Sequence, residues 1–139
     1  MKSRHKAREK VLQILYQLDI TDVQLNRSLT IYKEQNPELQ EQDSFIEELL
    51  DVIIQHQPEI DTIIKNTVEH WTFDRIAVVD RNILRMALAE LLYIDTIPVN
   101  ATINEAIELA KKFSTKDSGK FVNGILDKIV KSKNINKNI

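Results

Sequence analysis

An all-α fold of about seven helices is what this sequence predicts, and three observations carry the expectation. Apolar residues recur at helical spacing along almost the whole chain. Only 2 Gly and 3 Pro occur in 139 residues, too few turn residues for a sandwich, a barrel or a Gly-rich phosphate loop. No stretch of useful length alternates as a strand does, and no internal repeat is visible. The 42% hydrophobic and 29% charged content is ordinary for a globular domain, and a chain of this size buries roughly two thirds of its unfolded surface. One domain is expected over residues 1–139, with a basic arm at 1–8 and a flexible basic tail at 132–139.

The first helix is expected from about Ala7 to Asp19, with Val11, Ile14, Leu15 and Leu18 on one stripe. A second, weakly amphipathic helix from Val23 to Gln35 ends at Asn36-Pro37, because the residue before proline disfavours helical backbone. A third runs from about Gln42 to Gln57 on Phe45, Leu49, Val52 and Ile53. Pro58 suits the first turn of a fourth helix. That helix carries Ile60, Ile63, Ile64 and Val68 and stops near Trp71, read as a core anchor. Thr72 or Asp74 can cap the next segment.

From Ile83 to Ile94, ten of twelve residues are apolar or aromatic. A helix apolar on nearly all sides is buried in the middle of its domain, and Arg85 inside it calls for a carboxylate partner. Asp80 is expected to cap it and to split off a short helix over Arg75–Val79. Thr102-Ile103-Asn104-Glu105 has the form of a capping box. It opens a sixth helix that buries Ile103, Ala106, Ile107, Ala110 and Phe113. After a turn at Ser114–Asp117, the last helix spans about Ser118 to Lys131 on Val122, Ile125, Leu126 and Ile129. Gly124 within it is costly by propensity and suggests close approach by another helix or a ligand backbone.

The net charge of −2 hides a division along the chain. Residues 1–10 hold Lys2, Arg4, Lys6, Arg8 and Lys10 against Glu9 alone. Residues 128–139 hold four lysines and no acid, while residues 11–127 hold 10 basic and 20 acidic residues. Basic ends suit an anionic ligand and an acidic body suits a basic partner. The C-terminal lysines are read as a solvated tail.

Several chemistries are not expected. Cys is absent, which removes thiol catalysis, Cys-based zinc sites and disulfides and fits a reducing, cytoplasmic setting. Apolar residues between Val11 and Leu18 are broken by Gln13 and Gln17, unlike a secretory segment. No apolar run reaches the roughly 18 residues of a membrane span. No P-loop, GxGxxG, GxSxG or HExxH motif occurs, and His5, His56 and His70 lack ligand-like spacing to acids. Glu105 and Glu108 lie one turn apart, but capping explains Glu105 more cheaply than acid–base work. No enzyme activity, metal or cofactor is expected.

Two aromatic residues stand off their stripes. Tyr16 falls to one side of the first helix's apolar face, and His5 and Lys2 project onto its side. It either packs against a neighbouring helix or stacks on a nucleobase while the basic arm holds phosphates. Phe121 sits at the margin of the last stripe beside Lys120, with Lys116 one turn earlier. It is either core or part of the same nucleic-acid track. The binding reading requires Tyr16 and Phe121 to lie near the arm and not at opposite ends of the molecule.

Particular blocks make the chain recognisable. They are Ala7-Arg8-Glu9 leading to Leu15-Tyr16, Trp71 with Asp74-Arg75, and Val79-Asp80-Arg81-Asn82-Ile83-Leu84-Arg85. Two more are Asn104-Glu105-Ala106-Ile107-Glu108-Leu109-Ala110-Lys111 and Lys120-Phe121-Val122-Asn123-Gly124-Ile125-Leu126. In these, collinear over nearly the whole chain, the sequence resembles the NusB family of bacterial transcription antitermination factors; residues 22–60 carry little of the likeness.

The resemblance implies two packed helical bundles and a non-enzymatic role. It implies binding of boxA-type single-stranded RNA from ribosomal RNA operons, together with the small-subunit ribosomal protein NusE, in the service of the RNA polymerase elongation complex. By position, Lys2, Arg4, His5, Lys6 and Arg8 resemble the family's basic RNA-binding segment; Lys keeps phosphate attraction with fewer bidentate forks than Arg. Tyr16, Phe113, Asp117, Lys120 and Phe121 are expected to face RNA, Asp117 as acceptor for a base amino group. Asp74 and Asp80 are expected on the acidic surface that meets NusE. No membrane partner is expected, and a homodimer is compatible with the sequence. The rival readings are the RNA-binding domain of an rRNA cytosine methyltransferase, which shares the fold, and a helical adaptor that binds only protein.

Overall fold

The computed structural model describes residues 4–21, 24–39, 43–68 and 73–137. Among them are six α-helices, one short 3-10 turn and no strand. The helices are α1 (Arg4–Asp19), α2 (Leu25–Gln35), α3 (Ser44–Thr67), α4 (Val78–Tyr93), α5 (Val99–Phe113) and α6 (Ser118–Ser132), and the turn is Phe73–Arg75. Lys2 and Trp71 lie outside the described residues.

The helices form two bundles, α1–α3 and α4–α6, joined by α4. The α4 helix packs on α1 and α3 of one bundle and on α5 and α6 of the other. Eleven of its sixteen residues are buried, Asn82, Arg85 and Glu90 among them, so the all-round apolar pattern does mark the centre of the domain. The core it shares includes Val11 and Leu15 of α1, Ile53, Ile60 and Ile64 of α3, and Val122 and Leu126 of α6, each fully buried. Burying one such side chain is worth about 1.5–3 kcal/mol.

Three element boundaries differ from the sequence expectation. The third and fourth helices are one: α3 runs unbroken for 24 residues with Pro58 inside it. Pro58 points to solvent, while Ile53, Ile60 and Ile64 stay at zero exposure on the opposite side. Packing on that side outweighs the donor that proline removes. Asp43 caps this helix, its Oδ1 accepting from the Phe45 backbone N–H at 2.9 Å.

Asp80 does not cap a separate helix, because α4 starts two residues earlier at Val78 and Asp80 lies in its first turn. Thr102 does not open α5 either. That helix begins at Val99 after Pro98, and the Thr102 hydroxyl donates to Glu90 Oε1 at 2.8 Å. Gly124 is exposed, with nothing within 4 Å of where a Cβ would stand, so close approach does not explain it.

Two buried charge networks tie the bundles together. Arg85 donates from Nε and Nη2 to both oxygens of Asp61, at 2.8 and 3.0 Å, and from Nη1 to Asp19 Oδ2 at 2.9 Å. Arg81 and Asn82 donate to the same Asp19 oxygen. Burial pushes the Asp19 carboxyl up, but Arg85 and Arg81 and the Asn82 amide outweigh it and hold it below the usual carboxylate range. The expected partner of Arg85 is therefore a pair of carboxylates, one from α1 and one from α3. The second network joins Arg8 of α1 to Glu90 of α4 and Thr102 of α5.

Lys133, Asn134 and Asn136 of the tail are exposed, whereas Lys137 is half-buried. Lys137 donates to the backbone oxygens of Glu90, Ile94 and Ile97 at 3.0, 2.9 and 2.8 Å, closing the C-terminal end of α4. Burial lowers the Lys137 pKa, opposed by Glu90 and Asp95. No helix among the described residues is long and apolar enough to cross a membrane.

Candidate nucleic-acid interface

A hollow of about 760 Å³ lies where α1 faces the start of α4 and the end of α5. Lys6, Glu9, Lys10, Leu12, Gln13, Tyr16, Val79 and Phe113 line it. The α1 periodicity explains the first wall. Val11, Ile14 and Leu15 turn into the core, so Lys6, Lys10, Gln13 and Tyr16, spaced by three or four residues, share the outer face. Tyr16 is 41% exposed and Phe113 45%. Phe113 is thus not the core residue its place in the α5 pattern suggested: it is the last residue of α5 and lies beyond the stripe that Leu109 and Ala110 bury. Lys112 holds its ammonium 5.2 Å from the Phe113 ring centre.

A second hollow, about 270 Å³, is lined by Arg75, Ile76, Ala77, Asp80, Thr115, Asp117, Ser118 and Phe121. It adjoins the first through consecutive residues, since Val79 lines one and Asp80 the other. Tyr16 and Phe113 thus line one hollow and Asp117 and Phe121 another, both at the N-terminal end of α4. Asp117 is exposed at the start of α6 and its side chain makes no capping hydrogen bond, so its carboxylate is open to an external donor. Phe121 is partly buried, rests on the core and lines the second hollow. Lys116 and Lys120 are exposed on either side of Asp117.

Two of the expected contact residues are not on the surface. Arg8 is 5% exposed. Its Nε and Nη2 donate to Glu90 at 2.7 and 2.8 Å, and its guanidinium lies 5.4 Å from the Phe45 ring centre. Two of its nitrogens are engaged by Glu90 inside the core, whereas the sequence reading expects Arg8 to meet RNA. Asp80 is 7% exposed and accepts from the Ser118 hydroxyl at 3.0 Å. It is a buried tether between α4 and α6, where the sequence reading expects an exposed acid, and its other oxygen has no partner at the wall of the second hollow. Asp74 is exposed on the 3-10 turn.

The rest of the arm divides. Arg4 is exposed with its guanidinium 5.0 Å from the Phe45 ring centre. His5 Nδ1 lies 2.9 Å from Glu105 Oε1, and Nε2 lies 2.9 Å from Glu9 Oε2. Glu9 also accepts from Lys112 at 2.7 Å. That bond lowers the Glu9 pKa; burial opposes it, and the charges of Lys112 and His5 assist. Lys10, counted only within the basic run, and Gln13 and Lys112 were not singled out as interface residues by the sequence reading. The signal for the first two was present: following the Tyr16 face backward by helical steps passes Gln13, Lys10 and Lys6. Among the described residues no three His, Asp or Glu converge to hold a metal ion. The arrangement offers cationic groups for phosphates, flat rings for bases and a free carboxylate for an amino group.

Known proteins sharing this sequence and fold agree with one another. The NusB family model matches residues 5–131. A transcription antitermination protein NusB of Oceanobacillus iheyensis is 51% identical over 128 residues, spanning 92% of this chain and 98% of that one. The NusB of Bacillus subtilis is 44% identical over 126 residues, 91% and 93% of the two chains. Among solved structures, T. maritima NusB superposes with a TM-score of 0.78 at 39% identity, covering 94% of this chain and 92% of that one. NusB in a complex of antitermination factors NusB and NusE with double-stranded RNA superposes with a TM-score of 0.74 at 30% identity, covering 93% and 96%. With the family model matched over residues 5–131 and a relative 51% identical over 92% of its length, this chain belongs to the NusB family.

Proposed function

We propose that the chain is a transcription antitermination factor that binds boxA-type single-stranded RNA of ribosomal RNA operons. It does so together with ribosomal protein NusE, as an adaptor for the elongating RNA polymerase in the cytoplasm. The observation that carries the reading is the convergence of Lys6, Lys10, Tyr16 and Phe113 on one hollow, continued by Asp117 and Phe121 in the next. Exposed rings suit unpaired bases, because a base within a duplex keeps its faces stacked. The lysines supply sequence-independent phosphate attraction, and Asp117, an acid among cations, supplies a base contact that phosphates cannot use. The role is carried by surface complementarity and requires no catalytic group. Asp74 is the exposed acid left to meet a basic protein near the same end of α4.

The reading is tested by titrating a boxA-containing RNA and a scrambled RNA of equal length, single-stranded and annealed, with and without NusE. Tighter binding of the single-stranded boxA sequence, strengthened by NusE, is expected. Equal affinity for all four RNAs overturns it.

A further inference from the structure

The C-terminal end of a helix leaves carbonyls without helical donors and carries a partial negative charge. At the end of α4, three oxygens converge on one point. The backbone oxygens of Glu90 in the last turn, of Ile94 just past it and of Ile97 in the link to α5 stand 3.0, 2.9 and 2.8 Å from Lys137 Nζ. A primary ammonium carries three N–H donors and no acceptor, so donors and acceptors match one for one. The side-chain charges of Glu90 and Asp95 attract the same ammonium. A built turn delivers the lysine. Asn134 takes left-handed backbone at φ 51°, which asparagine tolerates. The Ile135 N–H donates to Val130 O at 3.0 Å and the Asn134 N–H to Lys131 O at 3.3 Å, the pair of bonds that closes a helix and reverses the chain. Ile135 then packs against the core, while Asn134 and Asn136 face solvent.

We propose that these three carbonyls form a binding site for a primary ammonium group, and that residues 133–137 are a strap that fills it with Lys137 and locks the corner where α5 leaves α4. The inference is independent of the RNA-binding reading. Two of the oxygens, those of Ile94 and Ile97, lie in the link between the helices, so one ammonium holds the link to the helix end. The strap also joins α6 to that link, in addition to the packing of the helices on one another. Lys137 is in this way set apart from the exposed Lys133 four residues earlier. Without the lysine charge the oxygens are open to a free primary ammonium ion. A quaternary ammonium has no N–H to give them.

Two measurements test it. The first uses the natural chain: a water-soluble amine-acylating ester is added and the modified lysines are followed by mass spectrometry. Lys137 is expected to react about tenfold more slowly than Lys133, since three hydrogen bonds must open first, and the difference should vanish in urea. Equal rates in the folded protein overturn the proposal. The second uses Lys137→Met, which keeps the stem and removes the charge. Its Tm is expected to fall by about 5 °C. Methylammonium chloride should restore part of that loss where tetramethylammonium chloride at equal concentration does not, and neither salt should restore anything specific to the natural chain. An unchanged Tm, or a variant that answers both salts as the natural chain does, overturns the proposal. The acylation readout decides the matter even where the variant fails to fold.

Discussion

Arg8 and Glu90 meet inside the core in a two-pronged ion pair, Nε to Oε2 at 2.7 Å and Nη2 to Oε1 at 2.8 Å. They are 82 residues apart in the chain, and they fasten α1 to the middle of α4. Thr102 adds a hydrogen bond to the same carboxylate, so each oxygen of Glu90 has a donor.

Removing one partner strands the other. Arg8→Ala is expected to destabilise the fold by about 3–5 kcal/mol, the cost of a buried charge left unpaired. Urea unfolding checks this. Any loss of RNA affinity should disappear once the folded fraction is allowed for; a large loss in a fully folded Arg8→Ala protein contradicts the core assignment.

Lys6 and Lys10 are expected to behave oppositely. Replacing both with Ala should leave the unfolding midpoint nearly unchanged, since both are exposed. It should weaken all RNA sequences alike and reduce the salt slope of binding by about one per lysine. Tyr16→Ala should also spare stability, but should cost about 1–3 kcal/mol of binding through lost stacking, measured by fluorescence titration.

Asp80 and Asp74 separate core from surface. Asp80→Lys places an ammonium where a buried carboxylate accepts from Ser118, so expression and Tm should fall sharply. Asp80→Asn, nearly the same shape, should be much milder. Asp74→Lys should leave Tm within a degree or two and weaken NusE in a pull-down or by calorimetry. Unchanged NusE affinity would remove Asp74 from the proposed docking surface.

Asp19 sets part of the acid limit. Its folded pKa lies below the ordinary 3.8, so folding favours the ionised form. Its contribution is fully present above the unfolded value and is lost as pH falls through the folded one. Asp19→Asn is therefore expected to be less stable than the natural chain at pH 7. The gap should shrink once pH drops below about 4, as seen by thermal unfolding at pH 7, 4 and 2.5.

The sequence made the helices legible wherever one face decides the outcome. The stripe of Val11, Ile14 and Leu15, the all-round apolar run after Ile83 and the need of Arg85 for a carboxylate all have local signatures, and Tyr16 was readable as an off-stripe ring. What could not be read depends on residues far away in the chain. A run of alternating Lys and Arg gives no sign that Arg8 alone finds Glu90 across the core. Thr102 and Glu105 satisfy the spacing of a capping box, yet the hydroxyl has a better acceptor in Glu90. Pro58 obeys a local rule for helix starts that the packing of Ile53, Ile60 and Ile64 overrides. Phe113 sits at the last position of α5, where periodicity no longer dictates a side.

Both walls of the larger hollow are bolted to one rod. Glu90 and Arg85 of α4 hold α1 through Arg8 and Asp19, Thr102 ties α5 to the same Glu90, and Asp80 holds α6 through Ser118. On the proposed reading, an incoming strand therefore meets a surface whose helices are already tied together. Capture is then a matter of encounter, quickened by the lysines and slowed by added salt. How long the strand stays is set by how well its bases sit on the rings.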